Sequence, residues 1–159
     1  MSGVSRTDSQ EHLGLLLKNA LEGVGKPAEK VFDHLADDFT ESTVICVATS
    51  GSASAIQGIG GTKGKSRHRY SICIFIAVPE PENVVWTAKL AQSKLNDMYI
   101  GARDVVLANK AAAGHWLNLK FFSEEGVEYG DFSQIIPVKV AGKDYDMEKI
   151  FVECEVFDV

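Results

Sequence analysis

Two stretches of this chain are apolar at consecutive positions, TVICVAT at 43–49 and YSICIFIAV at 70–78. Both are rich in β-branched and aromatic residues, which favours strands. Side chains in a strand alternate between faces, so a strand with no polar face must be covered on both sides. In the second run Tyr70, Ile72, Ile74, Ile76 and Val78 take one face, and Cys73, Phe75 and Ala77 take the other. Helices can supply one cover. The second must come from elsewhere, and another subunit could provide it.

Between the two runs the chain is polar, rich in glycine and serine, and then basic. It leaves no room for a good helix. The pair therefore predicts an antiparallel hairpin with a long loop at 50–69.

Helices are predicted on either side. Asp8 reads as an N-cap with Glu11 three residues on, followed by Leu13, Leu16, Leu17, Ala20, Leu21 and Val24 at helical spacing. Gly25 and Pro27 end that helix. Val31-Phe32 is a short extended segment, and LADDFTES reads as a polar loop. PEPEN, at 79–83, breaks the chain and puts acids near the start of a helix beginning near Val84. Its stripe is Val84, Ala88, Ala91, Leu95, Met98, Ala102 and Val105, and Gly101 is a place where it can split. The remainder is β. HWLNLKFF, QIIPVKVAG and KIFVECEVFDV are strand candidates; Pro137 confines the second to an edge or a bulge, and GKDYD reads as a hairpin turn. The expectation is one α+β domain over 1–159, a mostly antiparallel sheet with both helices on one face.

GIGGTKGKS, 58–66, has the residues of a phosphate loop but not the spacing. G-x-x-x-x-G-K-[ST] puts its first glycine at 59, which is Ile59, and the motif must open a helix, whereas a strand follows here. A dinucleotide fingerprint from Gly58 and Gly60 needs a glycine where Lys63 stands. His12, His34, His68 and His115 have no partner at metal spacing. No nucleophile elbow occurs. The expectation is a protein that is not an enzyme, with no catalytic, cofactor or metal residue. Cys46, Cys73 and Cys154 lie in apolar runs, are odd in number and form no CxxC pair, so they read as reduced, buried thiols of a cytoplasmic protein. No stretch of 18 apolar residues crosses a membrane. The opening MSGVSRTDSQEHLG lacks the apolar segment of a signal peptide.

Net charge is −6, which argues against general nucleic-acid binding. Yet Lys63, Lys65, Arg67 and Arg69 fall within seven residues, with His68 among them. That tract is either a solvated hairpin arm or a contact for an acidic partner or a phosphate backbone. The end of the chain is acidic, with Asp144, Asp146, Glu148, Glu153, Glu155 and Asp158.

The order of elements resembles the tail terminators and related minor tail proteins of long-tailed bacteriophages: a capped helix, a short extended Val31-Phe32, TVICVAT, a long polar loop, YSICIFIAV, a helix from Val84 to Val105, and a β-rich end. The resemblance lies in order and pattern over most of the chain and includes no diagnostic motif. It implies an α+β sandwich that forms a homo-oligomeric ring, typically a hexamer. Such a ring sits on the end of the tail tube and meets tail-tube and head-connector proteins, without active site or cofactor. The basic tract could then touch DNA non-specifically. The long helical region after PEPEN and the glycine-rich loop depart from the pattern. Two other readings compete: a nucleic-acid-binding module using 63–69, and a small-ligand or nucleotide-binding protein at the glycine-rich loop.

Overall fold

The structure, a computed structural model, describes residues 5–56, 64–122 and 133–157. In chain order the elements are α1 (Arg6–Leu21), β1 (Lys30–Phe32), β2 (Thr43–Ile56), β3 (Gly64–Ala77), α2 (Ala88–Ala108), β4 (Asn118–Phe121), β5 (Ser133–Val140) and β6 (Lys143–Phe157). The described strands form one sheet in the order β1-β2-β3-β6-β4, with β5 also on β6. β4 pairs with β6 from Val152 to Glu155, and β5 pairs with it from Lys143 to Ile150, so they share one edge of β6 in succession. All pairings are antiparallel except β1 with β2. The fold is α+β, as the pattern predicts.

Both helix starts differ from expectation. Ser5, not Asp8, caps α1: its hydroxyl accepts from the Asp8 amide at 3.0 Å, and the Asp8 carboxylate accepts from the Ser5 amide at 3.4 Å. Ser5 and Asp8 have the same three-residue spacing as Asp8 and Glu11, and the earlier pair gains nearly a turn of helix. α1 ends at Leu21, where Glu22 becomes extended, so Val24 leaves the stripe and stands exposed. α2 begins at Ala88 behind Thr87, whose hydroxyl accepts from Leu90 N. The acids of PEPEN fall short of its first turn, because Asn83 Oδ1 accepts from Val85 N and Trp86 N and folds that stretch into a turn. Val84 is therefore exposed, while Ala91, Leu95, Met98, Ala102 and Val105 are buried as predicted.

α2 does not split at Gly101. The glycine instead admits Leu21 of α1: a Cβ there would lie 2.3 Å from Leu21 Cδ2. The residue serves close helix packing, so helical hydrogen bonding continues through it.

Both helices cover one face of the sheet. There Leu13, Leu17, Met98 and Ala102 pack against Ile45, Val47, Tyr70, Ile72, Ile74 and Val152. The opposite face holds Val44, Cys46, Cys73, Phe75, Tyr145 and Met147, and Phe39 packs with them. Phe39 comes from the segment 33–42, which carries no regular structure, and meets Phe75 and Tyr145 edge-on at 5.1 and 5.2 Å. Tyr145 donates its hydroxyl to Glu41 O at 2.8 Å, tying the segment down. The polar loop LADDFTES thus supplies the second cover that two-sided apolar strands require.

The predicted loop at 50–69 is mostly strand. β2 continues to Ile56 and β3 starts at Gly64, paired residue for residue apart from a bulge between Thr49 and Gly51. Glycine and serine are weak strand formers, but β3 is held along its other side by β6 from Lys65 to Ala77. Tertiary pairing outweighs local propensity here. Only 57–63 lie outside the described residues, and Lys63 is among them.

Candidate interaction surface

The described part of the basic tract lies on a strand. Lys65, Arg67 and Arg69 occupy alternate positions of β3, so all three project from the face opposite the helices. His68 points the other way and is buried on the helix side. Three cations about 7 Å apart along one strand repel one another unless countercharges lie between them. β6 supplies these. Its register sets Glu155 opposite Arg67 and Glu153 opposite Arg69.

The contacts form a ladder. Arg69 Nε donates to Glu153 Oε2 at 3.0 Å. Arg67 Nε lies 3.9 Å from Glu153 Oε1 and 3.8 Å from Glu155 Oε2. Lys65 Nζ is 3.2 Å from Glu155 Oε1, and Lys120 of β4 approaches Glu153 Oε1 at 3.8 Å. The Arg69 guanidinium also stacks 4.0 Å above the ring of Phe122. Glu153 is only 3% exposed, although the cations around it reach solvent. Its burial comes from the cations that cover it. An isolated buried carboxylate would be costly, and three cations within 4 Å offset that cost.

This places the sequence-predicted residues. Lys65, Arg67 and Arg69 come together, His68 is separated from them by the thickness of the sheet, and Lys63 lies outside the described residues. Glu153, Glu155, Lys120 and Phe122 were not predicted as part of the group. A signal for the glutamates exists: they alternate with Cys154, on the polar face of a strand, in the same period as the basic residues.

A second feature lies beside the ladder. β1 pairs with β2 only from Val44 to Cys46. Gln10 of α1 closes that short pairing: its amide nitrogen donates to Asp33 O and Val47 O, both at 3.0 Å, and its carbonyl accepts from Thr49 Oγ1 at 2.5 Å. From residue 48 to 56, β2 has no further strand on that side among the described residues. The stretch ATSGSASAI contains no charge and no proline. The edges on the β6 side of the sheet are defended. β5 carries Pro137 and Lys139, and β4 has its outer amide at Leu119 bonded to Lys110 O at 2.7 Å. An uncharged, proline-free edge about 30 Å long is a template for another strand.

The remaining chemistry is quiet. Burial pushes the Cys46 thiol up to about 12 and the Cys73 thiol up to about 11, and it raises Cys154 and Tyr70 as well. These shifts are opposite to those of an activated nucleophile. Among the described residues no three His, Cys, Asp or Glu side chains gather as a metal requires. None of the described helices is long and apolar enough to cross a membrane. In comparisons with known proteins, no family model and no curated sequence matches this chain.

Proposed function

We propose that this chain is a non-catalytic assembly protein that associates with copies of itself through the edge of β2, as a tail-completion protein does when it forms a ring at the end of a phage tail tube. The observation that carries the reading is the uncharged, proline-free edge of β2 from 48 to 56, which carries a bulge between Thr49 and Gly51 and runs on unpaired to Ile56 on that side among the described residues. Natural sheets protect long edges with charge, proline, bulges or a covering element; this edge has the bulge alone over its far half, whereas β5 and β4 carry proline, charge or a covering bond. An edge left open in a folded protein is a docking element. The resemblance in element order then names the kind of assembly: a homo-oligomeric ring, hexameric in that family, between tail tube and head connector.

The ladder bears on the competing nucleic-acid reading. The carboxylates of Glu153 and Glu155 already engage Lys65, Arg67 and Arg69, so the tract offers a phosphate backbone much less charge than its composition suggests.

The test is solution mass across a wide concentration range, by sedimentation velocity and light scattering. The proposal expects a concentration-dependent oligomer that binds tail-tube subunits. Substituting Ser50→Lys and Ser52→Lys together should dissociate it while far-ultraviolet circular dichroism stays unchanged. A chain that is monomeric at every concentration and ignores tube subunits would refute the reading.

A further inference from the structure

His12 of α1 and His115 of the turn before β4 lie face to face, with ring centroids 3.6 Å apart and planes within 4°. Trp116 closes one side, its ring 5.1 Å from His12 in an edge-on arrangement. The turn that presents His115 is firmly built. Trp116 N and His115 N both donate to Ala112 O, and Gly114 takes the positive φ of +82° that the reversal needs. Trp116 Nε1 donates to Asn109 O at 2.9 Å, which fixes the turn to the end of α2. The first turns of α1 are held to the same region. Ser9 Oγ donates to His115 O at 3.0 Å, and Tyr70 donates its hydroxyl to Arg6 O at 2.7 Å.

The His115 Nδ1 atom is buried and has no hydrogen-bond partner in the protein. Neutral imidazoles stack well, and one protonated ring over a neutral one is tolerated. Two protonated rings at 3.6 Å are not, because like charges at that distance in a half-buried site repel strongly. Other titratable groups lie on the surrounding elements: Arg6, Asp8 and Glu11 on α1, Lys110 after α2, His68 on β3 and Cys154 on β6. Burial, and then the charge of His115, lower the His12 pKa.

We infer that the stacked His12–His115 pair is an acid-sensitive latch that holds the first half of α1 against the 112–116 turn when the rings are not both charged and lets it go when they are. The direction follows from linkage. His12 takes up a proton less readily in the native state than in the open one, so stability is present above about pH 6.5 and is lost as pH falls below it. What opens is local. α1 lifts from Tyr70 and from the upper part of the β3–β6 ribbon, while the core around Ile72 and Met98 stays packed.

Histidine ring NMR and amide hydrogen exchange, measured on the whole chain from pH 8 to pH 5, test this. His12 should titrate below 6.5. After correction for intrinsic exchange, amides at 9–13 and 112–117 should exchange about tenfold faster or more at pH 5, while 72–76 stay protected. In His115→Gln the acceleration should shrink severalfold, with the part due to burial of His12 remaining, and His12 should titrate closer to its ordinary value. A wild-type His12 titrating at or above 6.5, or exchange in the two segments that does not respond to acid, would overturn the latch. If His115→Gln does not fold, the wild-type titration and exchange alone decide the matter.

Discussion

Arg69 and Glu153 face each other across the β3–β6 pairing, joined at 3.0 Å, in a setting where the carboxylate is almost completely covered and the guanidinium is not. The asymmetry decides which partner matters more. Removing Arg69 strips Glu153 of its shortest contact, leaving only the longer approaches of Arg67 and Lys120, and also removes the guanidinium stacked on Phe122. Removing the charge of Glu153 leaves cations that water can reach.

Arg69→Ala should therefore destabilise the protein by about 1.5–3 kcal/mol, as expected for loss of a charge-assisted hydrogen bond to a buried acceptor. Glu153→Gln should cost about 1 kcal/mol, because its half-exposed partners re-solvate. Urea unfolding measures both. Equal costs for the two would mean that the burial of Glu153 carries no energetic weight.

The ladder also shows where sequence reading stops. Two-sided apolar runs at Thr43 and Tyr70, the stripe from Ala91 to Val105, the edge position of Pro137 and the alternation of Ile150, Val152, Cys154 and Val156 were all legible, because each follows from a local period. The span of the hairpin was not. Ser50 to Ile56 and Gly64 to Arg69 are strands through their neighbours, and one of those neighbours, β6, is some 85 residues away in sequence. The partnership of Arg67 and Arg69 with Glu155 and Glu153 depends on the same distant register. The role of Phe39 is equally non-local: a loop of acids and a lone phenylalanine reads as solvated until Phe75 and Tyr145 are brought beneath it.

Two glycines allow close approaches that side chains would obstruct, and the atoms opposite them rank the cost. At Gly14 an added Cβ would lie 2.5 Å from Asp33 Cβ and 2.7 Å from Asp33 Cα, so the backbone beyond β1 would have to move. At Gly101 the obstacle is the end of the Leu21 side chain, which can change rotamer. Gly14→Ala should cost about 2–3 kcal/mol. Gly101→Ala should cost less than about 2 kcal/mol, since alanine recovers roughly 1 kcal/mol of helix propensity in mid-helix. Thermal melts of the two variants, compared side by side, check the order; the reverse order would contradict the packing described.

Gln10 stops the β1–β2 pairing by taking the carbonyls of Asp33 and Val47. In Gln10→Ala both lose their partner at once, together with the bond from Thr49. The expected loss is about 1–2 kcal/mol. It should be localised: amides of Val31, Phe32 and residues 47–49 should exchange faster, while those of Ile72 and Ile74 do not. Uniform acceleration across the sheet would show that Gln10 acts on global stability and does not mark the end of that pairing.

The buried thiols predict behaviour at high pH. Burial raises Cys46 from 9.0 to about 12 and Cys73 from 9.0 to about 11, and it raises Cys154, Tyr70 and Tyr145 in the same direction. Above pH 9 the unfolded chain loses thiol protons that the folded chain keeps. The unfolded state then binds fewer protons, so stability falls as pH rises. The contribution is fully present below pH 9 and is progressively lost between 9 and 12. Denaturation midpoints should therefore decline through that window, and less steeply in Cys46→Ala and Cys73→Ala relative to their own values at pH 8. Alkylation at pH 8 should be slow in the native protein and complete within minutes once it is unfolded, because the reactive thiolate is scarce inside the fold. Rapid native-state labelling of Cys46 would show that the face under Phe39 opens readily, and would put the second cover of the sheet in doubt.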